Sequence, residues 1–400
     1  MRNDTQRVEG VIDFDRNATA PLHPAARAAM LAELAGVPLG NPSSVHRLGQ
    51  RARAVVERGR RAIAASIGAS ATDVVLTSGG TEADALAILG VARALAVAGR
   101  PSAVACSPIE HPAVTGACAQ LRREGHGVVA IPVDARGRLD PASIGALVRD
   151  HTELGLVSVT AAHHELGNVT DVRAIVDAVR AARPEVLVHV DAVQALGKLP
   201  VSAARWGVDL LSVSAHKIGG PAGIGALVCA RHVPLVPLWG GGRQQSGRRP
   251  GTEAAWATAG FAAAATAAAA DVERWATDVA PVGDRLRAGL VACGGRVFGD
   301  PDAHLGNTAL VAFDGCDGHL VMVALDLAGF ACSTGAACST GTVEPSAVLL
   351  ALGCAPAVAR GALRFSIGPE RTEADVDALC SALPDILASV RAATARLGAA

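Results

Sequence analysis

An α/β fold built on a mainly parallel sheet is what this sequence predicts, and three observations predict it. Between about residues 70 and 230, short apolar runs alternate with longer amphipathic ones; glycine-rich or polar turns follow several of the apolar runs; and half of the 400 residues are hydrophobic, enough for a large core. Strands are expected at 73–77, 102–106, 128–133, 156–160, 186–190, 210–213 and 225–229, which makes a seven-stranded sheet. Helical patterns fall between most of them, at 82–98, 112–123, 141–149 and 172–182, so both faces of the sheet are expected to be covered. From Glu253 the composition turns alanine-rich. Because alanine has the best helix propensity, one long helix is expected to leave the first domain and run on through Glu273, Arg274 and Asp278. The alanine excess itself looks as much like a codon bias as a packing device. Residues beyond about 285 read as a smaller α+β C-terminal unit. The expected division is a large α/β domain at 16–262 and a small α+β domain made of 1–15 and 263–400.

Bulk properties exclude several classes of function. Thirty-six basic residues against thirty-seven acidic ones leave no net field to attract nucleic acid or an anionic membrane surface, which favours a small-molecule substrate. Residues 1–10 are polar and charged, and no later segment has the uncharged span of a membrane helix, so a cytoplasmic protein is expected. Nine cysteines, an odd number without a Cys-x-x-Cys pair, argue against a disulfide framework or a structural metal.

The chemistry-bearing positions lie at expected strand ends, where open α/β sheets place their ligands. Thr77-Ser78-Gly79-Gly80-Thr81-Glu82 closes one strand and opens a helix, so backbone N–H groups and the Thr81 hydroxyl could donate to a phosphate; Thr81 with Asp84 also reads as an ordinary capping box. Asp191, in His189-Val190-Asp191-Ala192-Val193-Gln194, could be a helix cap, a metal ligand or the partner of a pyridine nitrogen. Lys217, in Ser214-Ala215-His216-Lys217 before a glycine-rich turn, is placed to be an amine of lowered pKa that attacks a carbonyl. An anion cradle, a carboxylate and a strand-end lysine together match what pyridoxal phosphate needs.

With Glu110-His111-Pro112-Ala113-Val114, Arg249-Pro250-Gly251-Thr252-Glu253 and Arg364-Phe365-Ser366-Ile367-Gly368 added, these motifs resemble the class V, fold-type-I cysteine desulfurases of the nitrogen-fixation and iron–sulfur type. The resemblance runs from Phe14-Asp15-Arg16-Asn17-Ala18-Thr19 to Gly368. It implies a fold-type-I transferase that uses pyridoxal 5'-phosphate. Lys217 would hold the cofactor covalently and then move the substrate's α-proton. Asp191 would pair with the pyridinium, Gln194 would touch the phenolic oxygen and His111 would stack on the ring. Gly80, Thr81, Ser214 and His216 would hold the phosphate, with Thr252 reaching to a neighbour's phosphate across a homodimer interface. Asn17 and Arg364 would bind the substrate, Arg364 through its carboxylate.

The reaction class turns on the segment from Cys332 to Ser346. A thiolate must take sulfur from the substrate as a persulfide, and a cysteine on a small-residue loop suits that task. Aligned on Gly-x-Ala-Cys and Glu344-Pro345-Ser346, this residue is Cys338, whereas Cys332, after Phe330 and Ala331, reads as structural. The implied reaction converts L-cysteine to L-alanine and passes sulfur to an acceptor protein, be it an iron–sulfur scaffold, a tRNA-thiolation relay or a biosynthetic partner.

Two departures from the family pattern stand out. His163-His164-Glu165-Leu166-Gly167 replaces Asn-Asn-Glu-x-Gly, so His164 takes the place of an asparagine that would bond the phenolic oxygen, and Ala85 replaces a frequent asparagine. These keep open a selenocysteine lyase or a C–S lyase acting on a cysteine conjugate. No metal is expected at His163 and His164, because adjacent residues of a strand point to opposite faces. A nucleotide-binding oxidoreductase lacks its Gly-x-Gly-x-x-Gly after the first strand. A silent sulfur-relay partner is opposed by the presence of Lys217, Asp191 and Cys338 together.

Overall fold

In the computed structural model, which describes residues 10–334 and 344–397, all seven expected strands pair in one sheet. In chain order the strands are β1 (Ile12–Asp13), β2 (Val74–Thr77), β3 (Ala103–Cys106), β4 (Val128–Ala130), β5 (Leu154–Thr160), β6 (Leu187–Asp191), β7 (Leu210–Ser214), β8 (Gly225–Cys229), β9 (Gly295–Phe298), β10 (Thr308–Phe313), β11 (Phe330–Ala331), β12 (Ser333–Thr334) and β13 (Ala362–Ser366). The large sheet has the order β2-β8-β7-β6-β5-β3-β4. Its only antiparallel pairings are those of β8 with β2 and with β7. Strand β4 stops short of its expected end because Pro132 has no N–H to continue the ladder.

Alternation sorts the two faces of this sheet. Val157, Val159, Val188, Val190, Leu211 and Val213 point into one apolar cluster, together with residues of the helices Arg47–Ser66, Pro141–Asp150, Val172–Ala182 and Ala255–Ala270. Leu156, Leu187, Leu210 and Leu227 point into the other, under Pro112–Arg123 and the helical run Gly80–Ala85, Leu86–Gly90 and Val91–Val97. Burial on both sides is why these strands read as continuous apolar runs.

The expected long alanine helix is broken. It runs as Ala255–Ala270, then Val272–Arg274, a π-turn Trp275–Val279 and Ala280–Ala292, with Asp271 at the break in a non-helical ψ of 3°. The alanines have a packing reason after all, because Ala255–Ala270 lies against both Pro24–Ala35 and Arg47–Ser66. A Cβ on Gly59 would come within 2.6 Å of Thr258, and one on Gly260 within 2.6 Å of Met30, so only small residues permit these approaches. The division expected at residue 262 falls inside this helix.

A second sheet, β12-β13-β10-β9, is antiparallel, and β1 pairs with β11 in parallel. Helices Ala280–Ala292, Gly318–Leu327 and Glu373–Leu397 cover one of its faces, and Phe14 is fully buried in that core. The chain therefore starts in the second core and crosses at once to the first: the Ser366 N–H bonds the Phe14 carbonyl, and three residues later Asn17 enters the cavity beside β6.

Candidate active site

The carboxyl ends of β5, β6 and β7 open onto a cavity of ≈ 680 Å³, a size ordinary for small-molecule sites. Asn17, Gly80, Thr81, His111, His164, Asp191, Gln194, Ser214, His216, Lys217 and Arg364 all line it, so motifs separated by more than three hundred residues converge. Thr252 is exposed and does not line the cavity. Cys338 lies outside the described residues. Cys332 is partly buried against the second core, and desolvation pushes its thiol up to about 12, far from a reactive thiolate.

Lys217 follows β7 in a short 3-10 turn. Its Nζ donates to the backbone carbonyls of Asn17 at 2.6 Å and Ala18 at 2.9 Å. Burial first, and then the Arg364 charge, bring it down to about 8, against the opposing pull of Asp15 and Asp191. Once neutral, the amine spends both hydrogens on those carbonyls and keeps its lone pair free.

Asp191 is the last residue of β6, and its Oδ1 accepts the Val193 N–H at 2.9 Å. Burial raises it to about 6, with the Val193 bond and the Lys217 charge acting the other way. Asp84 and Glu110 are buried in the same cavity wall, and burial followed by the Asp191 charge drives each well above the usual carboxylate range. Asp84 Oδ1 and Glu110 Oε2 have no hydrogen-bond partner.

On the phosphate side the helical run starts at Gly79 without a side-chain cap, so the capping box expected of Thr81 and Asp84 is not formed; Asp84 points inward and Thr81 is exposed at the cavity. A Cβ on Gly80 would meet Val193 at 2.8 Å, which requires glycine there. The Ser214 hydroxyl is buried without a partner. His216 Nδ1 lies 3.2 Å from the Thr19 hydroxyl, and burial followed by the Lys217 charge takes the ring down to about 4.

Pyridoxal phosphate fits these residues. Its phosphate would answer the orphaned Ser214 hydroxyl with Thr81 and the free N–H groups after Gly79, its pyridinium N–H would meet the Asp191 carboxylate, and its aldehyde would meet the Lys217 amine.

The histidines depart from expectation in geometry. His111 is both a helix cap, accepting the Ala113 N–H at Nδ1, and a cavity wall. His163 and His164 lie in the turn after β5, so they do not alternate as strand residues would; their rings stack at 4.7 Å and 21°. His163 donates from Nε2 to the Ile109 carbonyl and accepts the Glu165 and Leu166 N–H groups at Nδ1, which leaves neither nitrogen for a ligand. His164 stands edge-on to His111 at 5.0 Å, with Nε2 at 3.4 Å from Glu165 Oε1. Burial takes all three imidazoles down to about 3, so they stand neutral. Among the described residues no His, Cys, Asp and Glu cluster is arranged to hold a metal ion.

Arg364 on β13 donates to Asp15 Oδ1 at 2.7 Å and to the His164 carbonyl at 3.2 Å, while its buried Nε has no partner. Asn17 lines the cavity. Its side chain is fully engaged within the protein, accepting from Lys198 and Asn307 and donating to Thr308 and the His164 carbonyl. Glu110 and Glu165, which line the cavity, and Lys198, which lies behind Gln194, were left without a role by the sequence reading, and Asp84 was read only as a cap. A polar signal was present for each, since Lys198 follows Gln194 by one helical turn's spacing and Glu110 and Glu165 stand inside quoted motifs.

A fold and site of this kind define the class V aminotransferase fold. The family described as aminotransferase class-V matches residues 12–379, and the chain belongs to it. It is 42% identical over 385 residues to a cysteine desulfurase of Cereibacter sphaeroides, covering 95% of this chain and 96% of that one. It is 38% identical over 393 residues to an IscS-like cysteine desulfurase of Mycobacterium tuberculosis, covering 96% and 99%. A solved NifS-like protein superposes with a TM-score of 0.87 at 31% identity, over 94% of this chain and 99% of that one. The structure described as SspA in complex with cysteine superposes with a TM-score of 0.74 at 27% identity, over 90% and 99%.

Proposed function

We propose that the chain is a pyridoxal-phosphate-dependent cysteine desulfurase that releases L-alanine from L-cysteine and leaves the sulfur as a persulfide on Cys338, for transfer to an acceptor protein. The observation that carries this reading is the meeting of Lys217, Asp191, Ser214 and Arg364 in one cavity. Relatives named cysteine desulfurase, aligned over nearly the whole chain, support it.

The bound cofactor supplies an electron sink for charge at the substrate's α-carbon. Asp191 would hold the ring nitrogen's proton, in a wall where burial raises the Asp84 and Glu110 carboxyls well above the usual range. Arg364, already oriented by Asp15 and the His164 carbonyl, directs its guanidinium toward the substrate carboxylate. Lys217, at about 8, is partly neutral near physiological pH and so can both bond a carbonyl carbon and carry a proton to and from the α-carbon. The Cys338 thiolate attacks the substrate sulfur. A sulfur–sulfur bond forms, the carbon–sulfur bond breaks, and the carbon takes a proton, so cysteine and a thiol become alanine and a persulfide. Neutral His111, with Nδ1 spent on the Ala113 N–H, offers a ring face and its Nε2 hydrogen to the cavity.

A division into two domains belongs to the same proposal, supported by the separate apolar clusters of the two sheets, but Ala265 packs in the first cluster, so the boundary is placed after Ala255–Ala270 and not at 262/263. So does a cytoplasmic setting: among the described residues every cysteine is a free thiol, and no helix is long and apolar enough to cross a membrane.

Incubation of the loaded protein with L-cysteine, followed by measurement of alanine and mass analysis of the Cys338 peptide, tests the reading. Wild type should form alanine and carry one added sulfur on Cys338, and Cys338→Ala should keep the cofactor yet lose nearly all sulfur release. A Cys338→Ala variant that still releases sulfide from cysteine or its conjugates at the wild-type rate means a C–S lyase instead.

A further inference from the structure

Lys198 is the oddest charge in the molecule. Its residue is 7% exposed, and among the described residues no carboxylate lies within ion-pair distance of its Nζ. A buried cation without a counter-ion is costly and marks a site where it has work to do. Burial, with the charges of Lys217, Arg16 and Arg364 adding to it, pushes its pKa well below the lysine range.

What surrounds Nζ is polar but neutral. It donates to Gln194 Oε1 at 2.6 Å and to Asn17 Oδ1 at 3.0 Å, and it faces the Trp275 ring at 5.7 Å. Both amide orientations are forced by groups that can only accept. Gln194 Nε2 meets the Asn17 backbone carbonyl at 3.0 Å, so the other Gln194 atom, the one on Lys198, is oxygen. Asn307 Nδ2 meets the Ile367 carbonyl at 3.1 Å and also faces Asn17 Oδ1 at 3.2 Å, and Asn17 Nδ2 faces the His164 carbonyl at 3.4 Å, so Asn17 too turns its oxygen to Lys198. Because both partners are oxygens, Lys198 acts as a double donor whether it is charged or neutral.

We propose that Lys198 is a positioning residue of the candidate site, whose two hydrogen bonds hold the Gln194 oxygen away from the cavity so that Gln194 presents only N–H to a bound ring. One Gln194 N–H is spent on the Asn17 carbonyl, and the second remains for the cavity that Gln194 lines. The same Asn17 carbonyl receives the Lys217 amine at 2.6 Å. Lys198 thus sets, through one residue, the polarity of Gln194 and the seat of the reactive amine. An amide freed from Lys198 would keep only its N–H on the Asn17 carbonyl and would leave its oxygen without a donor in a dry site, so the side chain could swing about that one contact and bring the oxygen toward the ring, replacing attraction for a phenolic oxygen by repulsion. This inference rests on the pyridoxal-phosphate reading of the cavity.

A donor on the phenolic oxygen draws electron density from the ring and eases loss of the proton from the Lys217-bound nitrogen. Lys198→Met should therefore move the pH midpoint of the bound cofactor's visible band upward by about half a unit or more, a roughly threefold gain in proton affinity. Lys198→Arg, which keeps two donors, should stay near wild type. The apoprotein gives a reading that does not need the cofactor: Gln194→Glu should be tolerated beside Lys198 and should cost far more stability in the Lys198→Met background, as a non-additive cycle in urea unfolding. An additive cycle, or a Lys198→Met protein that binds cofactor with an unmoved midpoint, overturns the proposal. A wild-type protein that takes up no pyridoxal phosphate while the cycle is non-additive would instead overturn the cofactor reading, and with it the ring-directed role of Lys198.

Discussion

A single carboxyl shows what the site costs the fold. Asp191 has an ordinary value of 3.8 and stands at about 6 in the folded chain, chiefly through burial. The folded state therefore takes up this proton before the unfolded state does as pH falls. Stability associated with Asp191 is highest below about pH 4, declines as pH rises to about 6, and stays at its lower level above that. Asparagine has no charge to bury and keeps an oxygen for the Val193 N–H. Asp191→Asn should thus stabilise the apoprotein at pH 7.5 by about 1–3 kcal/mol, an advantage that fades toward pH 4, while turnover of the loaded protein collapses for want of a pyridinium partner. Urea unfolding at several pH values measures the first effect, and alanine formation the second. An asparagine variant less stable than wild type at pH 7.5 would mean that Asp191 is not strained by burial.

At the scale of elements, the turn after β2 is held from outside. Glu82 Oε1 accepts from Arg249 Nε at 2.7 Å, its Oε2 accepts from Arg249 Nη2 at 3.1 Å and from the Ser78 N–H at 2.7 Å. Burial works to raise the Glu82 carboxyl, yet the Arg249 and Ser78 hydrogen bonds together lower it, so the pair contributes above about pH 4.5 and is lost as pH falls through the lowered folded value. Arg249→Leu should cost about 1–3 kcal/mol near pH 7 and weaken pyridoxal phosphate binding, with the stability deficit shrinking in acid; thermal melting and cofactor titration read the two effects. Elements of this kind were unevenly legible. Strands β5 to β8 stand out because both faces are buried, and Pro112–Arg123 because Pro112 opens it and the apolar spacing sustains it. The break at Asp271 was hidden because alanine propensity says where a helix is easy, not where its backbone turns out of the helical region. The site was legible where one short motif carries the chemistry, as with Lys217 and Asp191. It was not where the role arises between distant segments, as when Lys198 meets Asn17, Ser346 donates to Glu165 at 3.2 Å, or Asp84 turns inward instead of capping its helix.

At the scale of the whole molecule we propose that two copies pair. Leu31 and Leu34 on Pro24–Ala35, Leu48 on Arg47–Ser66 and Trp256 on Ala255–Ala270 are exposed, by 52%, 58%, 42% and 37%, and the first two helices both lie against the third. Scattered apolar side chains on a surface are ordinary, but several on helices that share one packing layer are what a protein interface leaves bare in a single copy. Thr252 lies just ahead of Trp256, exposed and clear of this copy's cavity, as a residue meant for a neighbour's phosphate would be. A charge placed in that layer must be desolvated without a partner whenever two copies meet. Leu34→Glu combined with Trp256→Glu should therefore weaken self-association by about 100-fold or more, roughly 3 kcal/mol, in sedimentation equilibrium. If Thr252 serves the neighbouring cavity, as the resemblance implies, cofactor affinity should fall along with it. If the double variant stays dimeric but binds cofactor as wild type does, the copies meet through another face; if it becomes monomeric with cofactor affinity unchanged, the copies meet here and Thr252 does not serve the neighbouring site.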